Sequence, residues 1–412
     1  LGLAGAIISG CAHAKPTSAS SEFTAQVRRN FAAWDKNRDG VLQTEELDAV
    51  AANPRTTGKA AATVAVLKRI TRSSKYKAPA LTLKNIEDLV AHSPGAAAPS
   101  DPRDIVETVD PRGRPNLPKM YAEGLARIAN ASRGELFPSG PPQLDTIHQG
   151  KLGNCFCIAP VGAMLHRDPR QVAAMFAPQR DGNCRVTLGT HSFVVTPPTD
   201  AELAMTSSNE CHSVWLNLYE KAVGQARVKG LIVPKAETSD VTGVNTEVTS
   251  QKSETKPLGS LSPIDALARG GSAGTMLAFI TGHEITRFSF KFAKDSSTTP
   301  AVRETKLADL RKQLTAAVRE NRLMTCGTIK PTTPGVTPNH AYAVLGYDPA
   351  TDAVTLWNPH GSSFTPKGPA GLAHGYPEKD GVLTLPLTDW VQQFSGAAFE
   401  VTEATAATAA SK

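Results

Sequence analysis

Apolar residues recur three and four positions apart early in the chain. Phe23, Val27, Phe31 and Trp34 mark one face, and Leu47, Val50 and Ala51 mark another. That period predicts two short amphipathic helices joined by a polar stretch. Val64, Val66, Leu67 and Ile70 predict a third helix, and Ile86, Leu89 and Val90 a fourth. Further on, Phe156, Ile158, Val161, Met164 and Leu165 return at near-helical spacing, which predicts a helix with Cys155 at its start. Pro160 lies inside that run and removes a ladder hydrogen bond, so the helix is expected to kink there or to begin late. The period then changes. Ala341-Tyr342-Ala343-Val344-Leu345 alternates, Gly346-Tyr347-Asp348-Pro349 carries turn residues, and Val354-Thr355-Leu356-Trp357 returns. This predicts a hairpin, with His340 at its beginning and Asn358 at its end.

The polar stretch between the first two helices has oxygen-bearing side chains at regular intervals. Asp35, Asn37 and Asp39 alternate, Gly40 permits a sharp turn, Val41 offers a backbone carbonyl, and Glu46 ends the loop. These are positions one, three, five, six, seven and twelve of an EF-hand loop, a pattern that supplies hard oxygen ligands to calcium (Ca2+). Such hands normally pair. Leu81 is placed to meet Leu42 across a second loop, whose ligand positions would fall to Ser74, Tyr76, Ala78 and Asn85. That set cannot cage calcium, so the expectation is one binding hand and one degenerate, structural hand over residues 22–93.

A second constellation concerns acyl chemistry. Gln149-Gly150-Lys151-Leu152-Gly153-Asn154-Cys155-Phe156 is answered downstream by Asn339-His340-Ala341-Tyr342 and by Trp357-Asn358-Pro359. A thiol can attack a carbonyl, an imidazole can take and return the proton, and an asparagine can orient the imidazole. Gln149 and the Cys155 backbone N–H would donate to the oxyanion, where one donor is typically worth roughly 3 kcal/mol of barrier. A helix N-terminus at Cys155 would favour the thiolate through the macrodipole. Taken alone, Cys155 reads as a small buried hydrophobe; the four residues together read as a candidate thiol acyl-transfer site.

These blocks resemble the calpain family. The family form Gln-Gly-x-Leu-Gly-Asp-Cys-Trp is matched except at Asn154 and Phe156, Gly-His-Ala-Tyr is matched from His340 onward, and Asn-Pro-Trp-Gly differs at His360. Trp215 to Ala222, Leu323 to Cys326 and the stretch from Asp380 to Phe394 are similar too, in family order. The resemblance implies an α+β fold, with a papain-like protease core of two subdomains over residues 138–402. It also implies peptide-bond hydrolysis through a Cys155 thioester, on protein or peptide substrates bound between the subdomains. In the family the tryptophan after Asn-Pro shields the His–Asn bond, so His360 brings a second titrating ring to that place. The alternative is a calcium-binding surface lipoprotein that keeps the protease fold as an inactive scaffold. A transferase using the same thioester is a third.

The opening residues place the protein. Leu1 to Gly10 form a short apolar run ending in small residues, and Ile8-Ser9-Gly10-Cys11 resembles a bacterial lipobox. The expectation is a signal remnant over 1–10, a lipid on Cys11 anchoring the chain to a bacterial envelope membrane, and a flexible tether over 11–21; the alternative is an ordinary secretory signal with a chance cysteine and a secreted chain. Residues 94–137 read as a linker, 235–271 as a flexible insertion and 403–412 as a disordered tail. Six cysteines leave disulfide pairing open in an exported protein. The net charge of +6 is scattered among few aromatics, which gives no basis for nucleic-acid recognition.

Overall fold

The computed structural model describes residues 19–72, 76, 78–93, 115–133, 135–210, 212–232 and 257–402. Four helices come first: α1 (Ala19–Trp34), α2 (Thr44–Ala52), α3 (Gly58–Arg72) and α4 (Leu83–Ala91). They bury the stripes that the periodicity marks, with Phe23, Val27, Leu47, Val64, Leu67 and Ile86 fully enclosed. The Leu42 N–H donates to the Leu81 carbonyl at 3.1 Å, so the two inter-helix loops meet at the expected pair. Thr82 caps α4 by accepting from the Asn85 N–H.

A longer stretch follows: α5 (Leu117–Asn130), β1 (Ile147–His148), α6 (Cys155–Arg167), α7 (Pro169–Ala173), β2 (Phe176–Pro178), β3 (Cys184–Leu188) and β4 (His191–Val195). After these come α8 (Asp200–Met205), β5 (Ser208–Asn209), α9 (Trp215–Val228), α10 (Pro263–Leu267) and α11 (Ala273–Thr281). Two of these helices stand where the sequence reads as loop. α5 lies inside the expected linker, because Leu117, Met120 and Tyr121 form an apolar face that is buried against α3 and α8. α10 lies inside the expected insertion, anchored by buried Ile264 and Leu267 against α9. The signal remnant, Cys11, Ser74, Cys211 and residues 94–114, 233–256 and 403–412 lie outside the described residues.

The last part is rich in strands: β6 (Ile285–Ser289), α12 (Lys291–Lys294), α13 (Pro300–Arg319), β7 (Met324–Gly327), β8 (Ala341–Asp348) and β9 (Ala353–Trp357). β10 (Glu378–Lys379), β11 (Val382–Pro386), α14 (Leu387–Gln393) and β12 (Gly396–Glu400) complete it. These strands form one curled, antiparallel sheet in the order β10-β11-β9-β8-β7-β12-β6. The fold is therefore mixed α and β. Strands β8 and β9 pair as the predicted hairpin, with Ala343 opposite Trp357 and Tyr347 opposite Val354.

Strand alternation explains how the sheet serves two cores. Ala343 of β8 and Trp357 of β9 face a large core built from the preceding helices, with Phe23, Tyr121, Trp215 and Tyr219 in it. Tyr342, Val344 and Leu356 face a second core with Leu310, Leu314 and Trp390 from α13 and α14. The first four helices share the large core with α6 and α9. Polar contacts fasten them there: the Thr199 hydroxyl donates to the Ala51 carbonyl at 2.7 Å, and the Gly58 N–H to Asp200 at 2.7 Å. Lys68 bridges Asp48 of α2 and Asp265 of α10, the latter at 2.9 Å.

One close approach sets the helix α6 against the sheet. A Cβ on Gly162 would lie 2.3 Å from Cζ3 of Trp357, so only a glycine lets the indole reach the helix backbone. Pro160 does not delay the helix, which begins at Cys155 and continues through the proline to Arg167. The residues from Cys155 to Leu165 are all buried, and packing on every side offsets the lost backbone bond. Gly162→Ala is expected to destabilise the fold by about 1–3 kcal/mol, the usual range for overpacking. Urea unfolding measures it, and a gain in stability, as helix propensity alone would give, would contradict this packing.

Candidate active site

The candidate residues arrive from three elements. Cys155 is the first residue of α6, with Asn154 as the residue before the helix. Its side chain is 4 % exposed and clusters with Ala159, with Ala273 from α11 and with Ala341 from β8. Burial pushes the thiol up to about 11, against the pull of the Ala341, Phe156 and Cys155 backbone groups. The helix N-terminus is where the sequence places it, but desolvation outweighs the dipole there and the resting sulfur is protonated. Cys155, Cys157, Cys184 and Cys326 are free and buried.

His340 stands just before β8 and Asn358 just after β9, so the hairpin brings their side chains together. His340 Nε2 lies 2.8 Å from Asn358 Oδ1. An amide oxygen can only accept, so Nε2 carries the proton and Nδ1 is left as a base. Asn339 has φ 47, the left-handed region that asparagine tolerates better than most residues. Burial holds the His340 ring down to about 4, although Asn358 favours its charged form. The rings of His340 and His360 stack with centroids 4.5 Å apart and planes 7° from parallel. The His340 ring also meets the Tyr342 ring nearly at right angles, with centroids 5.1 Å apart. Burial, His340 and Lys151 all keep His360 neutral, while the Gln149 backbone favours its protonated form.

Gln149 is tied to the same place through its backbone. Its N–H donates to the Pro359 carbonyl at 2.7 Å, next to Asn358. The side chain is buried, and Oε1 has no hydrogen-bond partner. The structure thus joins Gln149, His340 and Asn358 through the Asn358-Pro359-His360 turn, and seats the Cys155 thiol against Ala341, the residue after His340.

Sequence reasoning missed two buried carboxyl groups. Glu378 accepts from Asn358 Nδ2 at 3.1 Å and from the Ser362 hydroxyl at 2.7 Å. Glu220 of α9 accepts from Asn154 Nδ2, from the Ser207 N–H and, at 2.6 Å, from the Ser207 hydroxyl. Burial pushes Glu220 up to about 7. The signal for Glu220 was a lone carboxylate inside the apolar run of α9. Glu378 gave no comparable signal, lying twenty residues beyond its partner in sequence.

The candidate calcium loop runs between α1 and α2. Gly40 has φ 79 and its N–H donates to Asp35 Oδ2 at 3.0 Å, which makes the turn expected there. Glu46 reaches back to accept from the Lys36 N–H at 2.7 Å and from the Gln43 N–H at 2.9 Å. The Gln43 N–H is the main reason that its carboxyl lies below the usual range. Asp39 accepts from the Val41 N–H at 2.8 Å. Asp35 is buried and its Oδ1 has no partner, an orphaned hard oxygen that suits a cation. Among the described residues no group of three or more His, Cys, Asp or Glu side chains converges as a metal cluster.

No protein-family model matches the chain, and no curated protein matches it.

The two stacked histidines yield a pH prediction. In the unfolded chain the His340 ring takes a proton near 6.5, whereas in the fold it does so only near 4. The unfolded state binds more protons between these values, so the stability this ring contributes is complete above 6.5 and is lost as pH falls toward 4. Imidazole NMR should show His340 neutral throughout pH 8 to 6, a window lying above its depressed value. A His340 midpoint near the ordinary 6.5 would contradict the burial argument.

Proposed function

We propose that the chain is a calcium-binding cysteine endopeptidase of calpain kind, built as a papain-like core. Cys155 is the nucleophile, His340 the general base and acid, Asn358 its orienting partner and Gln149 a donor to the oxyanion. The observation that carries this reading is the 2.8 Å bond between His340 and Asn358, with the buried Cys155 thiol at the head of α6 against the backbone of Ala341, the residue after His340. The family resemblance of the sequence blocks supports the same assignment.

The chemistry follows from the resting state. A thiol near 11 and an imidazole near 4 hold their proton on sulfur. The Cys155 sulfur therefore attacks the substrate carbonyl as its proton passes to His340 Nδ1. The carbonyl oxygen gains the charge, and the Cys155 N–H with the Gln149 amide donates to it. His340 then returns the proton to the departing amine, leaving a thioester on Cys155. A water molecule, deprotonated by His340, attacks the thioester, releases the carboxylic acid and restores the thiol.

The calcium assignment rests on the loop from Asp35 to Glu46, where Asp35, Asn37, Asp39, the Val41 carbonyl and Glu46 would hold the ion. The ion would supply positive charge that orders the loop. Attachment through a lipid on Cys11 belongs to the same proposal and rests on the opening residues alone. The burial of the Cys155 thiol favours a second reading, in which the fold is an inactive calcium-binding scaffold.

Two measurements separate these. Cys155→Ala should lower hydrolysis of an unfolded protein substrate by roughly five to six orders of magnitude, as loss of a nucleophile does; wild-type protein without peptidase activity would favour the scaffold. Glu46→Gln should abolish calcium binding in a titration calorimeter. Undiminished binding in that variant would sink the loop assignment.

A further inference from the structure

The orientation of Asn358 is not self-evident, because an amide turned over would present N–H to His340 instead of oxygen. Four contacts fix it. Oδ1 faces His340 Nε2 at 2.8 Å and accepts from the His360 N–H at 3.1 Å. Nδ2 donates to Glu378 Oε1 at 3.1 Å and faces the Ser362 hydroxyl at 3.4 Å. A flipped amide would set its N–H groups against donors and its oxygen against a carboxylate. Glu378 is held in turn: its backbone exchanges hydrogen bonds with Phe364 at 2.8 and 2.9 Å, and it lies opposite Leu383 of β11, the strand beside β9. Its side chain is buried, with 4 % of the residue exposed.

We infer that Glu378 is a positioning residue of the proposed site, a fourth group in line behind Cys155, His340 and Asn358. Its carboxylate locks the Asn358 amide and lends negative charge to the side of the site where His340 becomes positive. The inference rests on the endopeptidase reading. The groups acting on the Glu378 carboxyl are Ser362 and Asn358, and it acts on the Tyr342 phenol of β8. His340 lies beyond Asn358 and gains a proton only during the reaction. A buried carboxylate stabilises that transient cation more than a solvated one would, since the intervening medium screens it less. Burial raises the Glu378 carboxyl above its ordinary value, so this help is lost as the medium turns acid earlier than it would be for a solvated carboxylate.

The test is the pH dependence of Cys155 alkylation by iodoacetamide, read by mass spectrometry on the full chain, together with kcat and KM. Glu378→Gln keeps an acceptor for Asn358 and Ser362 but removes the charge. The expected result is an unchanged KM and a roughly tenfold slower alkylation at neutral pH, equivalent to one unit of His340 proton affinity, with the acid limb moved to lower pH because the charge that holds a proton on His340 is gone. Glu378→Ala also frees the amide and should slow the reaction further, with the glutamine variant restoring part of the loss. A merely structural role would lower the unfolding midpoint and leave the pH profile in place. Should the Glu378 variants not fold, Ser362→Ala removes one bond to the charged carboxylate, and the acid limb should move to higher pH. An active wild type whose profile is unmoved in Glu378→Gln, or in Ser362→Ala where that variant stands in, overturns the inference alone. A wild-type Cys155 inert at every pH overturns the endopeptidase reading and this inference with it.

Discussion

The contact of Trp357 with Gly162 decides where everything else lies. The indole of β9 rests on the backbone of α6, at a point two helical turns beyond Cys155 and one residue before Asn358. A rigid helix and a paired strand leave little freedom once that contact is made. The head of α6 then falls against Ala341 of β8, and the end of β9 falls beside His340. The close-packed core converts a glycine-sized gap into the placement of residues far apart in sequence. The same indole is enclosed by the large helical core, so the first four helices and the candidate site belong to one packed body.

The site is buried, and this governs its electrostatics. Burial raises the thiols and the carboxyls of Glu220 and Glu378, and it lowers the rings of His340 and His360. Every shift favours the neutral form, as removal from water requires. With the Cys155 thiol and the His340 ring neutral at rest, their charges appear only while the proton moves. The polar framework is ready for it: the Asn358 amide uses both its oxygen and its nitrogen, and Asn154 is tied to Glu220 and through it to Ser207. Such networks are costly when half satisfied, and the orphaned oxygens of Gln149 and Asn154 mark where water or substrate has most to gain.

Features with a local cause were legible in the sequence. Helical stripes, the β8–β9 hairpin, the meeting of Leu42 with Leu81 and the pairing of His340 with Asn358 all follow from period, turn residues and the reach of a hairpin. What escaped depends on distant partners. α5 was hidden in a stretch that begins with proline and glycine, because its apolar face acquires meaning only against α3 and α8. The start of α6 ahead of Pro160 depends on complete burial, which one proline cannot reveal. The direction of the Cys155 shift depends on how completely the fold buries the sulfur. Glu378 reaches Asn358 only through the pairing of β10, β11 and β9, a relation with no local signature.

The central claim is that Cys155 is a nucleophile activated by His340. The most direct test treats a soluble form of the chain with an epoxide that reacts with thiol nucleophiles, then locates the adduct by mass spectrometry. The account predicts a single adduct on Cys155 that disappears in His340→Ala. Labelling of Cys155 that persists in that variant, or its absence from folded wild-type protein, would contradict the account.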